Sequence, residues 1–382
     1  NALRRPGRLA LSLGLLAAGG AMAMTAIQVE RGWAANVAKV YATRRYDVEV
    51  VLNEPAPRAV GERLSRLPGL RGAELWGYAP AAFSRPGELD VSHVYPDRGH
   101  GSLFAMGIPP ETGLVHFPLR AGRWLRPEDR GTDALVLNHA AARASGRQVG
   151  DPVTVSIGGR PTSWHVVGIV EEIGAAGVVY AADASFDAAT GATAGGRLLR
   201  VTTGATTPAA QASAIQAIEG ALGEAGASVQ SVMPLAELRT AMGDHVLVLV
   251  RMLEAMAGIL GLVGLLGLVS TLSVSVVERT RELAVMKTLG ATPARLARLL
   301  LAEALAIAGL AYVAGVILSV PLTLLVDRIV GSLGFLAPLP LVLSPAAAGA
   351  WLALGAVGTV IATVIPARRA AALSIREGMG RT

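Results

Sequence analysis

Apolar positions in this chain fall into four long runs, separated by segments that are charged or rich in turn residues. Residues 9–29 carry no charge, nor do residues 255–277 between Glu254 and Glu278, nor residues 304–326 between Glu303 and Asp327. Each run reaches the about 20 residues that a bilayer-crossing helix requires. The fourth run, residues 329–367, is too long for one span and is interrupted by Gly331, Gly334, Pro338, Pro340 and Pro345. Residues 327–345 therefore read as an interfacial connection and residues 346–365 as the span. Residues 9–29 also fit a signal peptide with a small-residue site at Ala21-Met22-Ala23. The run exceeds a usual signal core, which favours a retained first span.

Between the first two spans the period changes. Val48, Val50 and Leu52 alternate as in a half-buried strand, Val60, Leu64 and Leu67 recur at helical spacing, and residues 73–78 read as another strand. The same order returns near the second span: residues 198–201, a helix opened by Thr207 as N-cap and Pro208 at its first position with Ile215, Ile218 and Leu222 on one face, then residues 229–233. Between these βαβ units the pattern is mostly β. Residues 134–138 form a short apolar strand, and Val153, Val155 and Ile157 lead through Gly158-Gly159 into a hairpin with residues 164–170. The stretches SHVYPDRGHGS and GAAGVVYAADAS read as loops able to meet a partner or cargo.

The chain has 382 residues, 52% hydrophobic but only 4% aromatic, and no cysteine. Disulfides, thiolate metal sites and a cysteine nucleophile are therefore excluded. The net charge of +6 becomes a topology signal once it is located. Arg4, Arg5 and Arg8 precede the first span, residues 278–303 hold five basic and three acidic groups, and the tail after Pro366 holds four Arg and one Glu, whereas residues 30–245 are slightly acidic. With four spans, both termini and the segment after span two share one side, and the basic excess assigns it to the cytoplasm. A nucleic-acid surface is not indicated.

Little points to catalysis. No G-x-x-x-x-G-K-[ST] loop occurs, so the chain has no ordinary means of holding ATP phosphates, and neither G-x-S-x-G nor H-E-x-x-H is present. A membrane-anchored hydrolase would need a catalytic cluster that the chain lacks. His93, Asp97 and His100 lie close in sequence, but their spacing matches no regular metal pattern, and they read as a polar loop. Arg251 and Glu254, three apart, read as a pair on a helical stalk at the outer boundary, and Glu303 as an inner-boundary residue within reach of Arg298. Gly258, Gly261, Gly264 and Gly267 recur every three residues and suggest a closely packed helix pair or dimer seam.

The densest charge in the second half is VVERTRELAVMKTLGATPARLARLLLAEA, residues 276–304. It reads as helix, glycine stop at Gly290, and helix restarted by Thr292 and Pro293. Val285, Met286 and Leu289 lie toward one side of the first helix, but Glu278 and Glu282 intrude there. A membrane-surface helix would segregate better. Such a mixed face suits docking into a protein groove, with a solvated turn as the plain alternative.

These residues carry a resemblance. SVVERTRELAVMKTLGATPARLARLLLAEALAIAG, residues 275–309, is similar to the FtsX-like permease domain of ABC transporters, the family that includes MacB and LolC/LolE, through E-R-x-R-E-[IL]-x-x-x-[KR]-x-[LV]-G-A. PARRAAALSIREGM in the tail and AGRWL, VGDPVTV and VVGIV further upstream support it, although Ile375 stands where the family often has Pro. The resemblance implies a bacterial inner or plasma membrane protein with both termini cytoplasmic. Its plan is residues 1–8 as a basic N-terminus, 9–29 as the first span, 30–245 as the extracytoplasmic domain, 246–277 as stalk and second span, 278–298 as coupling helix, 299–326 as the third span, 327–345 as the outer connection, 346–365 as the fourth span and 366–382 as the tail. The fold class is then four transmembrane helices, one plus three, with an α+β extracytoplasmic domain in which βαβ units at 46–80 and 197–240 flank a β-rich insert at 81–196.

The resemblance further implies that Glu278, Arg279, Arg281, Glu282, Met286, Lys287, Leu289 and Gly290 contact a separate cytoplasmic ABC-type ATP-binding subunit. ATP and Mg would be bound by that partner and no cofactor by this chain. A second permease unit is expected, as a homodimer, a heterodimer or the other half of a tandem chain, and so is a periplasmic or cell-envelope partner. The implied activity is coupling of ATP hydrolysis to movement of the outer domain for export or extraction of lipoprotein, lipid, peptide or drug. The alternative is FtsX-like signalling to a cell-envelope enzyme without transport.

Overall fold

The computed structural model describes residues 6–84, 87, 89–92, 102–172, 176–191 and 195–372. In chain order the elements are α1 (Pro6–Ala42), β1 (Val48–Pro57), α2 (Arg58–Leu64), β2 (Gly72–Phe83), β3 (Leu103–Ile108), β4 (Leu119–Gly122), β5 (Ala134–Asn138), α3 (His139–Ser145), β6 (Pro152–Ile157), β7 (Arg160–Val170), β8 (Gly177–Ala182), α4 (Asp183–Thr190), β9 (Gly195–Thr202), α5 (Pro208–Glu224), β10 (Val229–Pro234), α6 (Leu235–Asp244), α7 (Leu247–Glu278), α8 (Thr280–Thr288), α9 (Pro293–Gly334) and α10 (Pro345–Ala372). They form two compact units: residues 1–35, 244–332 and 338–382 in a helical one, and residues 36–243 with 333–337 in an α/β one.

In the α/β unit, β10, β1, β9 and β2 lie side by side in that order, all antiparallel. The two βαβ units, β1-α2-β2 and β9-α5-β10, are thus interleaved, as in a split βαβ sandwich. Alternation sorts the strands by face. Val48, Val50, Leu52, Leu199 and Val201 pack with Leu64 of α2 and Ile218 and Leu222 of α5. Thr207 caps α5, its side chain accepting from the Ala210 N–H.

β2 is longer than the pattern predicts because its second half leaves this sheet and enters another. There β2, β3, β8, β5, β7 and β6 pair in succession, and β6 pairs back onto β2, closing a ring. Closure leaves no free edge among these strands. Leu135, Leu137, Val153, Val155, Ile157, Trp164, Val166 and Val179 pack together with Ala141 of α3 and Phe186 of α4. The β6–β7 hairpin turns at Gly158 and Gly159, both with positive φ of 57° and 82°, the conformation of a two-residue primed turn.

From Gly177 onward, GAAGVVYAADAS is not a loop. Gly177–Ala182 is the buried strand β8, parallel to β3, and Asp183–Thr190 is helical. A strand covered on both faces loses the alternation by which strands are recognised. Residues 93–101, which include His93, Asp97, His100 and most of the other expected loop, lie outside the described residues. Among the described residues no group of three metal-ligating side chains occurs.

The helical unit is built on α1, α7, α9 and α10, the four described helices long and apolar enough to cross a membrane. Val248, Ile259, Leu262, Leu310, Ile317, Leu354 and Ile361 are among many large apolar side chains left exposed. A belt of this size is stable against lipid rather than water. α1 continues unbroken past Ala23 and beyond residue 29, carrying Glu30, Arg31 and Lys39. α9 likewise runs through Gly331 to Gly334, so the connection read at residues 327–345 begins inside a helix. Gly331 is buried there, and a glycine packed in a bundle does not break a helix that tertiary contacts hold.

The bundle interior also holds polar groups that the absence of charge within the runs concealed. Thr323 Oγ1 donates to Gln28 Oε1 at 2.7 Å and lies 3.0 Å from Thr25 Oγ1, and Asp327 is buried nearby along α9 with neither carboxylate oxygen hydrogen-bonded.

Candidate coupling site

α7 ends at Glu278, and after the single residue Arg279 the chain turns into α8. Leu283 and Ala284 are buried, and Leu283 packs with Val276 of α7, Leu296 and Leu300 of α9 and Ala370 of α10. The helix stops as its sequence dictates. Gly290 has φ of 90°, its N–H donates to Lys287 O at 3.0 Å, and the Ala291 N–H reaches Met286 O at 2.9 Å. These two bonds are the Schellman arrangement, which satisfies carbonyls that a helix end leaves orphaned. Thr292 O accepts from the Arg295 N–H at 2.9 Å where α9 begins.

Two side chains tie α8 down. Arg279 Nε donates to Glu282 Oε2 at 2.9 Å, and its Nη1 reaches Glu303 Oε2 on α9 at 3.4 Å, so Glu303 pairs with Arg279 rather than Arg298. Lys287 Nζ donates to Ala371 O at 2.7 Å, in the last turn of α10, where a cation complements the helix dipole.

The eight expected contact residues therefore divide. Arg279, Met286 and Lys287 are half-buried and engaged within the chain, whereas Glu278, Arg281, Glu282, Leu289 and Gly290 are exposed. Leu289 is 82% and Val285 44% exposed. Arg281, Val285 and Leu289, each four residues from the next, share one helical face. Val285 was absent from the expected set although the same spacing pointed to it.

The four glycines of α7 do not make one seam. A Cβ on Gly264 would meet Leu16 Cγ at 2.8 Å and Leu16 N at 3.0 Å, one on Gly267 would meet Ser12 Oγ at 2.7 Å, and one on Gly261 would meet the Trp351 ring at 3.1 Å. Gly258 has open space. Steps of three residues drift by about 60° each around a helix of 3.6 residues per turn, so the set fans over roughly half the circumference. Three glycines serve α1 and α10 of the same chain, and the fourth faces outward. Arg251 Nη1 and Glu254 Oε2 pair at 2.7 Å on the exposed surface of α7.

Comparison with known proteins agrees with this layout. The FtsX-like permease C-terminal family matches residues 255–375, and the MacB-like periplasmic core domain matches residues 15–221, more than half the chain. The periplasmic region of MacB from Actinobacillus actinomycetemcomitans is 12% identical over 54% of this chain and 97% of that one, with a TM-score of 0.36. The extracellular domain of the noncanonic ABC-type transporter YknZ from Gram-positive bacteria is 15% identical over 49% of this chain and 99% of that one, with a TM-score of 0.33. No curated protein sequence matches. With one family match over α7 to α10 and the other over α1 to α5, the chain belongs to the FtsX-like, MacB-like family of ABC transporter permeases.

Proposed function

We propose that this chain is the transmembrane subunit through which a separate ATP-binding subunit in the cytoplasm moves the α/β unit on the far side of a bacterial cell membrane. The movement drives export or extraction of a lipoprotein, lipid, peptide or drug. The family is the permease component of ABC transporters and not their ATPase. One observation carries the reading: α8 is fixed to the ends of three long helices by Leu283, Arg279 and Lys287, yet presents Arg281, Val285 and Leu289 outward. A force applied to that face passes into α7, α9 and α10 without being absorbed by a loop. An arginine on an exposed face that also carries apolar side chains is the kind of anchor that a partner's surface covers. ATP and Mg would belong to the partner, and a second permease unit would complete the assembly.

The test is retention of the ATP-binding subunit by the purified full chain. Leu289→Glu and Arg281→Glu each lower retention at least tenfold while the thermal midpoint of the permease stays unchanged. Undiminished retention by both variants overturns the proposal. Met286→Glu is a poor probe, because Met286 packs on the bundle ends and the change would unseat α8 itself.

A further inference from the structure

The α/β unit contains a cavity of about 240 Å³ lined by residues of β1, β3, β8, β9, β10 and α6. Its volume lies just under the roughly 300–1,000 Å³ of drug-sized pockets, so it suits a small ligand or one arm of a larger one. Part of the lining is apolar and adaptable, with Phe104, Met106, Leu198 and Met242. Methionine supplies a surface that reshapes around what it covers. Four lining residues are charged, Arg44, Arg200, Glu49 and Glu172.

Each carboxylate in the lining already accepts bonds through its Oε2, whereas the guanidiniums keep donors to spare. Glu49 Oε2 accepts from Arg200 Nε at 3.1 Å and from Tyr46 OH at 3.2 Å. Glu172 Oε2 accepts from Tyr180 OH at 2.8 Å and Asn138 Nδ2 at 3.1 Å. The Arg200 side chain is only 6% exposed and lies over Trp76 and Tyr46, its Cζ 4.1 and 4.6 Å from their ring centroids, yet its Nη1 has no hydrogen-bond partner. Arg44 rests over Tyr41 at 5.6 Å, and Glu172 and Glu49 act on its charge without a side-chain hydrogen bond to it among the described residues. A buried guanidinium nitrogen without an acceptor costs free energy until an acceptor arrives.

We propose that this cavity binds a single-chain amphiphile through its anionic head, the head accepting from Arg200 and Arg44 and the chain lying along Phe104, Met106, Leu198 and Met242. A cation must compete with the donors already on Glu49 and Glu172, and a purely apolar ligand leaves the spare guanidinium donors without an acceptor. Burial alone would depress the Arg200 guanidinium, but Tyr46 and Glu49 beside it hold it raised, and burial pushes the Tyr46 phenol up to about 12. Both guanidiniums therefore stay charged at neutral pH. The site is independent of α8, and its occupancy is measured without nucleotide or partner, so failure here leaves the proposed coupling untouched.

Equilibrium binding of radiolabelled decanoate, decyl phosphate and decanol to the full chain in nanodiscs, with empty nanodiscs as baseline, tests it. Saturable binding of decanoate or decyl phosphate at least tenfold tighter than decanol supports the proposal, and the tighter of the two identifies the head. Arg200→Gln weakens that binding at least tenfold, and Leu238→Trp on α6 abolishes it by filling the cavity. Because Arg200→Gln also strips Trp76, Tyr46 and Glu49 of their partner, Leu238→Trp carries the test if that variant fails to fold. Decanol binding as tightly as the anions, or anion binding unchanged in Leu238→Trp, overturns it.

Discussion

His139, the first residue of α3, is buried with Nε2 3.3 Å from Phe335 O and Nδ1 without a hydrogen-bond partner. Burial lowers its pKa below 6.5, reinforced by Arg120 and Arg143 and opposed by the Phe335 carbonyl and Glu171. The unfolded chain binds the proton near 6.5 while the folded chain resists it, so stability falls as pH drops through 6.5 toward the folded value. The urea midpoint of the wild type, followed by tryptophan fluorescence, should therefore decrease between pH 7.5 and 5.5, and His139→Gln should remove that decrease. An equal decrease in both proteins would show that other groups are responsible. Asp129 does not blur the reading. Its carboxylate takes Arg123 Nη1 and Nη2 at 2.6 and 2.8 Å, and the bonds from Arg123 hold its pKa below 3.8, so its contribution is lost only in far more acidic solution. Neither His139 nor Arg200 announces its burial in sequence. His139 follows a strand signal and Arg200 lies within one, and the groups that enclose them, Phe335 for the first and Tyr46 and Trp76 for the second, are distant in the chain.

At the scale of single elements, α7 gives the sharpest contrast. Gly264 sits where a Cβ would strike the Leu16 backbone, and Gly258, in the same helix and equally apolar surroundings, faces open space. Gly264→Leu must push α1 from α7 and should lower the thermal midpoint and the yield of monodisperse protein, at a cost of about 1–3 kcal/mol, the range for overpacking. Gly258→Leu should leave both unchanged. If it instead splits a larger oligomer, the outward-facing glycine is the part of the set that meets a second copy. Much else at this scale was legible because it rests on local chemistry: the Thr207-Pro208 start of α5, the Gly158-Gly159 turn and the Gly290 stop each follow from a residue whose backbone or side chain permits little else. β8 and the full length of β2 were not legible. Their character comes from strands far away in the chain, and no short window contains those neighbours.

For the whole molecule the four long apolar helices and the charged turn between α7 and α9 were legible because membrane insertion acts on segment composition, which needs no tertiary knowledge. Closure of the β ring and the polar Thr25–Gln28–Thr323 contact inside the bundle were not, since each joins positions that are distant in sequence. The sidedness that composition implies has a direct check, because the 382-residue sequence contains no cysteine and any introduced thiol reports alone. Leu289, 82% exposed at the end of α8, and Gln148, exposed on the α/β unit, are positions where a cysteine disturbs no buried contact. With a membrane-impermeant maleimide, Gln148→Cys should react in intact spheroplasts and Leu289→Cys only in inverted vesicles. The basic groups around α8 are the reason for that expectation, since Lys and Arg near span ends tend to stay on the cytoplasmic side during insertion. Labelling of Leu289→Cys from outside would place α8 beyond the reach of any ATP-binding subunit in the cytoplasm, and the coupling proposal would fail whatever the fold of the remaining chain.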